Sequence, residues 1–332
     1  MKNQDRIVIV TVGIGVMLLF LLNLFIGSVS IDPSAILNLL TGGESENPAW
    51  PYIVENRLHR SLVAIFGGGA LAVAGLILQV FFRNPLAGPG VLGISSGASL
   101  GVAIVILGGM SFAGSAGIIV FGVLGAFSVL ALVLFLSRFI KSQVTLLVIG
   151  LMIGYFTSAF VNMLFLWAGE SETREFVIWG LGSFEGLNRE DLTLFIGVIT
   201  AALLSTVFMI KGMNGYALGE DYARSMGINV RLQRTLMILI TSVLAAVVTV
   251  YCGPVSFIGI AVPQLVRLLS KSKNHAFIIP FCFLGGAFLA ILSDITVRLT
   301  TNSLPLNTVT ALVGAPVIIW TILKMNKRNV EM

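Results

Sequence analysis

Apolar residues in this chain gather in long runs separated by short polar connections. Ten runs can be drawn, at about 7–27, 61–82, 91–109, 113–136, 144–168, 192–210, 235–252, 255–270, 276–297 and 306–325. A helix needs about 20 such residues to cross a hydrocarbon core. The pattern predicts an all-α polytopic membrane protein of about ten transmembrane helices in a single domain over 1–332. Two connections are long. Residues 28–56 hold Asp32-Pro33-Ser34, a cap-like start with proline at the first helical position, which predicts a short helix through Leu40. Residues 169–191 set Phe176, Trp179, Leu181 and Phe184 among Glu170, Glu172, Arg174 and Glu175, which predicts a short amphipathic helix over the outer mouth. An aromatic interface belt is the alternative reading there.

The stretch from Arg57 to Gly101 organises the rest. It opens on Arg57-Leu58-His59-Arg60 and continues as an apolar segment broken only by small residues and Gln79. Gly67, Gly68, Gly69, Ala70, Ala74 and Gly75 would let other helices approach closely. The chain then turns at Asn84-Pro85-Leu86-Ala87-Gly88-Pro89 and re-enters. Part of this recurs. Arg57-Leu58-His59-Arg60-Ser61-Leu62 is echoed by Arg231-Leu232-Gln233-Arg234-Thr235-Leu236. Each copy leads into an apolar run, then Gly88-Pro89 or Gly253-Pro254, then Gly93-Ile94 or Gly259-Ile260. Five segments separate the copies, so they face opposite sides. That is the mark of an inverted repeat of five plus five spans, with halves about 1–190 and 191–332 and a pathway at their interface. Chance recurrence of so short a motif is the alternative.

Hydrophobic residues make up 57% of the chain and charged ones 11%, against roughly 25% charged in globular proteins. A soluble protein could not hide that much apolar surface. The tract Ile7–Ile26 exceeds a signal-peptide core and no A-x-A site follows, so it reads as a retained helix. The net charge of +5 points to cytoplasmic loops rather than to nucleic acid. With both termini cytoplasmic, interior positions hold fifteen basic residues: Lys2, Arg6, Arg83, Arg138, Lys141, Lys211, Arg224, Arg231, Arg234, Arg267, Lys271, Lys273, Lys324, Lys327 and Arg328. The exterior holds five, Arg57, Arg60, Arg174, Arg189 and Arg298. Residence in the cell (inner or plasma) membrane follows.

The chain carries no G-x4-GK[ST] and no nucleophile–base constellation, which predicts neither an ATPase nor another enzyme and no cofactor. His59 and His275 read as loop histidines, too far apart for a metal site, and Cys252 and Cys282 fall in apolar segments. Asp294 is the single intramembrane acid, four residues before Arg298, which predicts an ion pair along one helix face. Scarce buried acids argue against the rival reading, an ion-coupled secondary transporter. If ATP drives this protein, another subunit supplies it and must grip the chain. The interior stretch 212–230 is the best handle. Gly212, Gly215 and Gly219 would break the preceding helix, and Leu218, Tyr222 and Met226 would form one apolar stripe. Glu220, Asp221 and Arg224 flank that stripe, with Gly227 as the C-cap. Such a helix suits a groove in a partner protein; lying on lipid is the alternative.

These residues resemble a known family. The R-L-x-R opening, the run from Gln79 into Arg83-Asn84-Pro85-Leu86-Ala87 and Pro89, and Leu92-Gly93 with Ser95-Ser96-Gly97-Ala98 carry the first part of the likeness. Leu218-Gly219-Glu220-Asp221-Tyr222-Ala223 through Gly227, Gly253-Pro254 through Phe257 and Gly259 with Pro263 and Arg267, and Ala311 through Pro316 carry the rest. In this order they resemble the FecCD (BtuC-like) family of ABC-importer permeases. The resemblance implies a permease subunit, dimeric with itself or a paralogue, that imports an iron(III)-siderophore, or haem or cobalamin. It implies a pair of cytoplasmic ATP-binding subunits gripping Leu218, Gly219, Glu220, Asp221, Ala223 and Gly227. It also implies an extracytoplasmic substrate-binding protein docking on Arg57, Arg60 and Arg298 through acidic residues. Snorkelling, or pairing with Glu55 and Asp294, is the alternative for those arginines. Trp179, Gly182 and Ser183, with Gln79, Asn84 and Pro85, are the gate and pathway candidates. The sequence departs from the family pattern at His59, Gln264 and Ser303.

Overall fold

The computed structural model describes residues 3–27, 29–43, 47–110, 114–140, 142–300 and 304–330. Lys2, Lys141, Ser303 and Glu331 lie outside the described residues. All regular structure among them is helical: α1 (Asn3–Phe25), α2 (Pro33–Leu40), α3 (Trp50–Phe81), α4 (Ile94–Ile106), α5 (Gly114–Ser137), α6 (Gln143–Phe165), α7 (Glu170–Gly180), α8 (Arg189–Ser205), α9 (Ile210–Tyr216), α10 (Glu220–Ser225), α11 (Val230–Cys252), α12 (Ile258–Leu269), α13 (His275–Leu299) and α14 (Leu306–Val330). The two predicted surface helices are α2 and α7. Asp32 caps α2, accepting from the Ser34 hydroxyl at 2.6 Å and the Ser34 N–H at 2.8 Å, and these bonds hold its carboxyl below the usual range.

Among the described residues, α1, α3, α5, α6, the α8–α9 pair, α11 and α13 are long and apolar enough to cross a membrane. The other three predicted spans are shorter apolar helices, α4, α12 and α14 over 306–321. At about 1.5 Å per residue, α4 and α12 reach only part-way through a hydrocarbon core. Each is reached through a corner outside the α-helices, the one before α4 holding a 3-10 turn at Pro89–Leu92. Gly88, Leu92 and Gly253 in those corners are buried, as irregular backbone at membrane depth must be.

α3 is the axis. Most of its apolar window is buried, 83%, against 17% for α1 and for α6. Its small residues explain this. Gly68 lies against the Gly286 carbonyl and Ala290 of α13, and Gly75 lies against the Gly259 carbonyl of α12, so a methyl at either would overlap its neighbour. Small residues are what let membrane helices approach this closely. The outer faces of α1, α5 and α6 expose Ile7, Met17, Phe135, Tyr155, Phe156 and Phe160.

α3 and α11 follow the same plan. Each ends in a bend and feeds a short helix through a left-handed residue, Gly93 (φ 74°) before α4 and Phe257 (φ 66°) before α12. α3 packs on α12, α11 packs on α4, and α3 packs on α11. The helix starts therefore pair Gly93-Ile94 with Phe257-Ile258, two residues earlier than the motif match to Gly259-Ile260. The backbone geometry of the cap, and not the glycine, is what corresponds. Phe257 holds a conformation that is strained for a non-glycine residue, and Gly314 on α14 leaves room for it.

Candidate functional site

A cavity of about 910 Å³ opens where α3 begins and α13 ends. Its wall includes Arg57 and Arg60 of α3, Asp294 and Arg298 of α13, and Gly182, Ser183 and Glu185 from the segment after α7. Asp294 is buried at its base. It accepts from Arg60 Nε at 2.7 Å and from Asn23 of α1 at 3.1 Å. Arg298 donates instead to the Asn23 backbone and side-chain oxygens, at 2.9 and 2.7 Å. The predicted pair between Asp294 and Arg298 is thus replaced by a link across α1, α3 and α13, because Asn23 sits between the two helices' polar groups.

The three arginines differ. Arg57 is buried, and its guanidinium donates to the carbonyls of Leu24 (3.0 Å), Phe25 (3.4 Å) and Val29. It satisfies carbonyls that the end of α1 leaves without helical partners. Arg60 bridges Asp294 and Glu185, the latter at 2.6 Å. Arg298 has no carboxylate within ion-pair distance among the described residues. Nor do Arg57 and Arg60 stand at a helix start. α3 begins at Trp50, so both lie beyond its first turn, where the helix dipole has faded. Glu55 pairs with His59 at 3.7 Å and not with an arginine.

The other end of the bundle carries α10. Leu218, Tyr222 and Met226 are exposed at 64%, 50% and 56%. The predicted apolar stripe therefore lies open, with Ala223 buried beneath it. Gly227 (φ 77°) closes the helix: its N–H bonds the Arg224 carbonyl, and the Ile228 N–H bonds the Ala223 carbonyl. That pair of bonds is a Schellman cap. Glu220 differs from expectation. It faces inward and accepts from the Tyr216 hydroxyl and, at 3.5 Å, from Gln143 of α6, because the buried phenol needs an acceptor. Gly212 and Gly215 do not break the helix. They lie within α9, where Gly212 touches Gln233 of α11 and Gly215 touches Ile228. The helix is interrupted earlier, by a 3-10 turn at Thr206–Met209.

A model of the FecCD transport family matches residues 15–324. The chain belongs to that family. Vitamin B12 import system permease proteins BtuC from Salmonella paratyphi A, Citrobacter koseri and Klebsiella pneumoniae are each 34% identical to it, over 82%, 83% and 84% of this chain and 84% of their own length. A solved structure described as an inward-facing metal-chelate type ABC transporter superposes with a TM-score of 0.85 at 28% identity, covering 96% of this chain and 99% of that one. PsaBC from Streptococcus pneumoniae in complex with Fab shares the fold alone, with a TM-score of 0.50 at 18% identity over 87% and 94%. The protein is a polytopic membrane permease of the ABC-importer kind. The secondary-transporter reading is set aside.

In this FecCD permease the gate and pathway candidates lie in different places. Gly182 and Ser183 line the arginine cavity. Trp179 does not; its ring packs 5.6 Å from Phe176, and its buried Nε1 has no partner among the described residues. Gln79 lies buried near the end of α3, and Pro85 lies half-buried in the turn beyond it. Gln264 of α12 donates to Gln79 at 2.8 Å and to the Pro85 carbonyl at 2.7 Å, and Gln79 donates to the Ile260 carbonyl at 3.2 Å. Asn84 folds the neighbouring turn, accepting from the Leu86 N–H at 2.9 Å. Gln79 and Pro85 thus join the α3 end to α12, while Asn84 shapes the turn that follows α3. Asn307 went unpredicted. From the first turn of α14 it donates to the carbonyls of Gly180 and Pro254 and accepts from the Ser256 N–H, tying α7 to the α11–α12 corner. A single asparagine in an apolar run gave no such signal. The two histidines lie in helices and not in loops: His59 is in α3, and His275 starts α13 against Asn214 at 2.7 Å.

Proposed function

We propose that this chain is the permease subunit of an ABC importer for large metal chelates, with an iron(III)-siderophore as the substrate. A second permease copy or a paralogue completes the pathway. A pair of ATP-binding subunits grips α10 through Leu218, Tyr222 and Met226 with Asp221 and Arg224, while Glu220 and Gly227 fix the helix. An extracytoplasmic binding protein docks over the cavity by setting carboxylates on Arg60 and Arg298, with Arg57 as support. Both termini then face the cytoplasm, in line with the basic residues at the α10 end.

One observation carries this reading. α3 joins both ends, running about 36 Å from Arg57 to Phe81 at helical rise, and Phe81 stacks on Tyr216, which holds Glu220 of α10. Closure of the ATP-binding subunits would move α10, and the packed helices would rock as bodies. Cobalamin is the second substrate reading, favoured by the printed names of the 34% identical relatives. The test is uptake into proteoliposomes holding this chain with its copurifying ATPase and binding protein. Radioiron-siderophore uptake that excess cobalamin does not compete supports the first reading. Radiocobalt-cobalamin uptake replaces it with the second. Active ATP hydrolysis with neither substrate taken up overturns both.

A further inference from the structure

We propose that Glu185 is a resident carboxylate that fills the docking seat on Arg60 and gives it up to a carboxylate of the incoming binding protein. The inference rests on the docking reading above. Arg60 holds two carboxylates of unlike character. Asp294 is 1% exposed and fixed by Asn23, whereas the Glu185 side chain is 53% exposed. A buried carboxylate paired this way is costly to uncover; an exposed pair is screened and weak. Exchange at Arg60 therefore falls on Glu185.

The backbone around Glu185 suits such an exchange. Gly182 (φ 75°) and Gly186 (φ 98°) bracket it with left-handed turns, and its own N–H bonds the Ser183 hydroxyl at 3.0 Å. Phe184 and Leu187 on either side are buried. The segment is thus anchored, while the exposed Glu185 side chain is held through Arg60. The cavity carries three guanidiniums, Arg57, Arg60 and Arg298, and two carboxylates, Asp294 and Glu185. Release of Glu185 doubles its excess positive charge, and a partner's carboxylate restores the resting balance. At rest Arg60 is paired with the chain's own acids, which disfavours stray anions there. A partner that presents a carboxylate at Arg60 and a second at Arg298 replaces Glu185.

The test uses the full chain in nanodiscs and a fluorescent hexaglutamate peptide at low salt. Glu185→Gln is expected to tighten peptide binding by about two- to fivefold, the range for one exposed charge pair. In an Arg60→Lys background, where the two-pronged seat is lost, the gain should disappear. Peptide binding by Glu185→Gln where the wild type binds none also supports the proposal. Weakening by Arg60→Lys without tightening by Glu185→Gln overturns the proposal and leaves the docking reading standing. No effect of either variant, or no binding by any, overturns both.

Discussion

Tyr216 stacks on Phe81 with ring centroids 6.2 Å apart and planes 18° from parallel. One ring closes the long buried helix, and the other stands four residues before Glu220, whose carboxylate accepts its hydroxyl. Tyr216→Phe keeps the stack and removes that bond, which to a charged acceptor contributes about 1.5–3 kcal/mol. Normal membrane abundance with slower substrate uptake is expected. Glu220→Gln, which keeps an acceptor, should be milder than Glu220→Ala. Uptake at matched expression measures both, and wild-type rates in Tyr216→Phe would show that the bond does not set α10.

Gly227 holds φ 77° at the end of α10. A β-branched residue there costs about 1–2 kcal/mol and loosens the cap on the exposed stripe. Gly227→Val should insert normally yet lose its copurifying ATPase in detergent, and Gly227→Asn should retain most of it. Full retention in Gly227→Val would remove α10 as the handle.

Gln264 donates to the Gln79 side-chain oxygen inside the bundle. Replacing one by Leu strands the other, at about 1–3 kcal/mol. Gln79→Leu and Gln264→Leu should each lower the melting temperature in detergent. The double variant should melt above the sum of the two losses, and additive losses would deny the coupling.

Gly75 meets the Gly259 backbone, whereas nothing lies within 4 Å of a methyl built on Gly90. Gly75→Val should therefore abolish a monodisperse gel-filtration peak. Gly90→Ala should stay within about 0.5 kcal/mol of wild type. Equal behaviour of the two variants would contradict the α3–α12 contact.

Cys252 and Cys282 are buried and unpaired, so their labelling background is low. A cysteine at Ser171 should react with an impermeant thiol reagent in intact cells, and one at Ser272 only after permeabilisation. Reaction of the Ser272 site in intact cells would reverse the proposed orientation.

The apolar runs, Asp32-Pro33-Ser34 and the Leu218–Gly227 stretch were legible because each depends on nearby residues: helix length, a local cap, a three-residue stripe at a spacing of four. The three cavity arginines were legible as residue types and not as individuals. Arg57, Arg60 and Arg298 look alike in the sequence, yet one binds carbonyls, one bridges two acids and one binds an asparagine. Asn23 and Asn307 were passed over because a lone amide in an apolar run has no periodic partner.

What the sequence determined by itself is the class, the number of apolar segments and the family. Hydrophobic length and motif order are properties of the chain that need no partner. What only the tertiary structure decided is which polar group meets which. Asp294 pairs with Arg60, 234 residues away, rather than with Arg298 four residues on; Glu220 turns inward to Tyr216; and Gln79 accepts from Gln264, 185 residues on. A buried polar group must find a partner wherever packing brings one, and glycine contacts such as Gly75 on Gly259 set how close the helices carrying those groups can come.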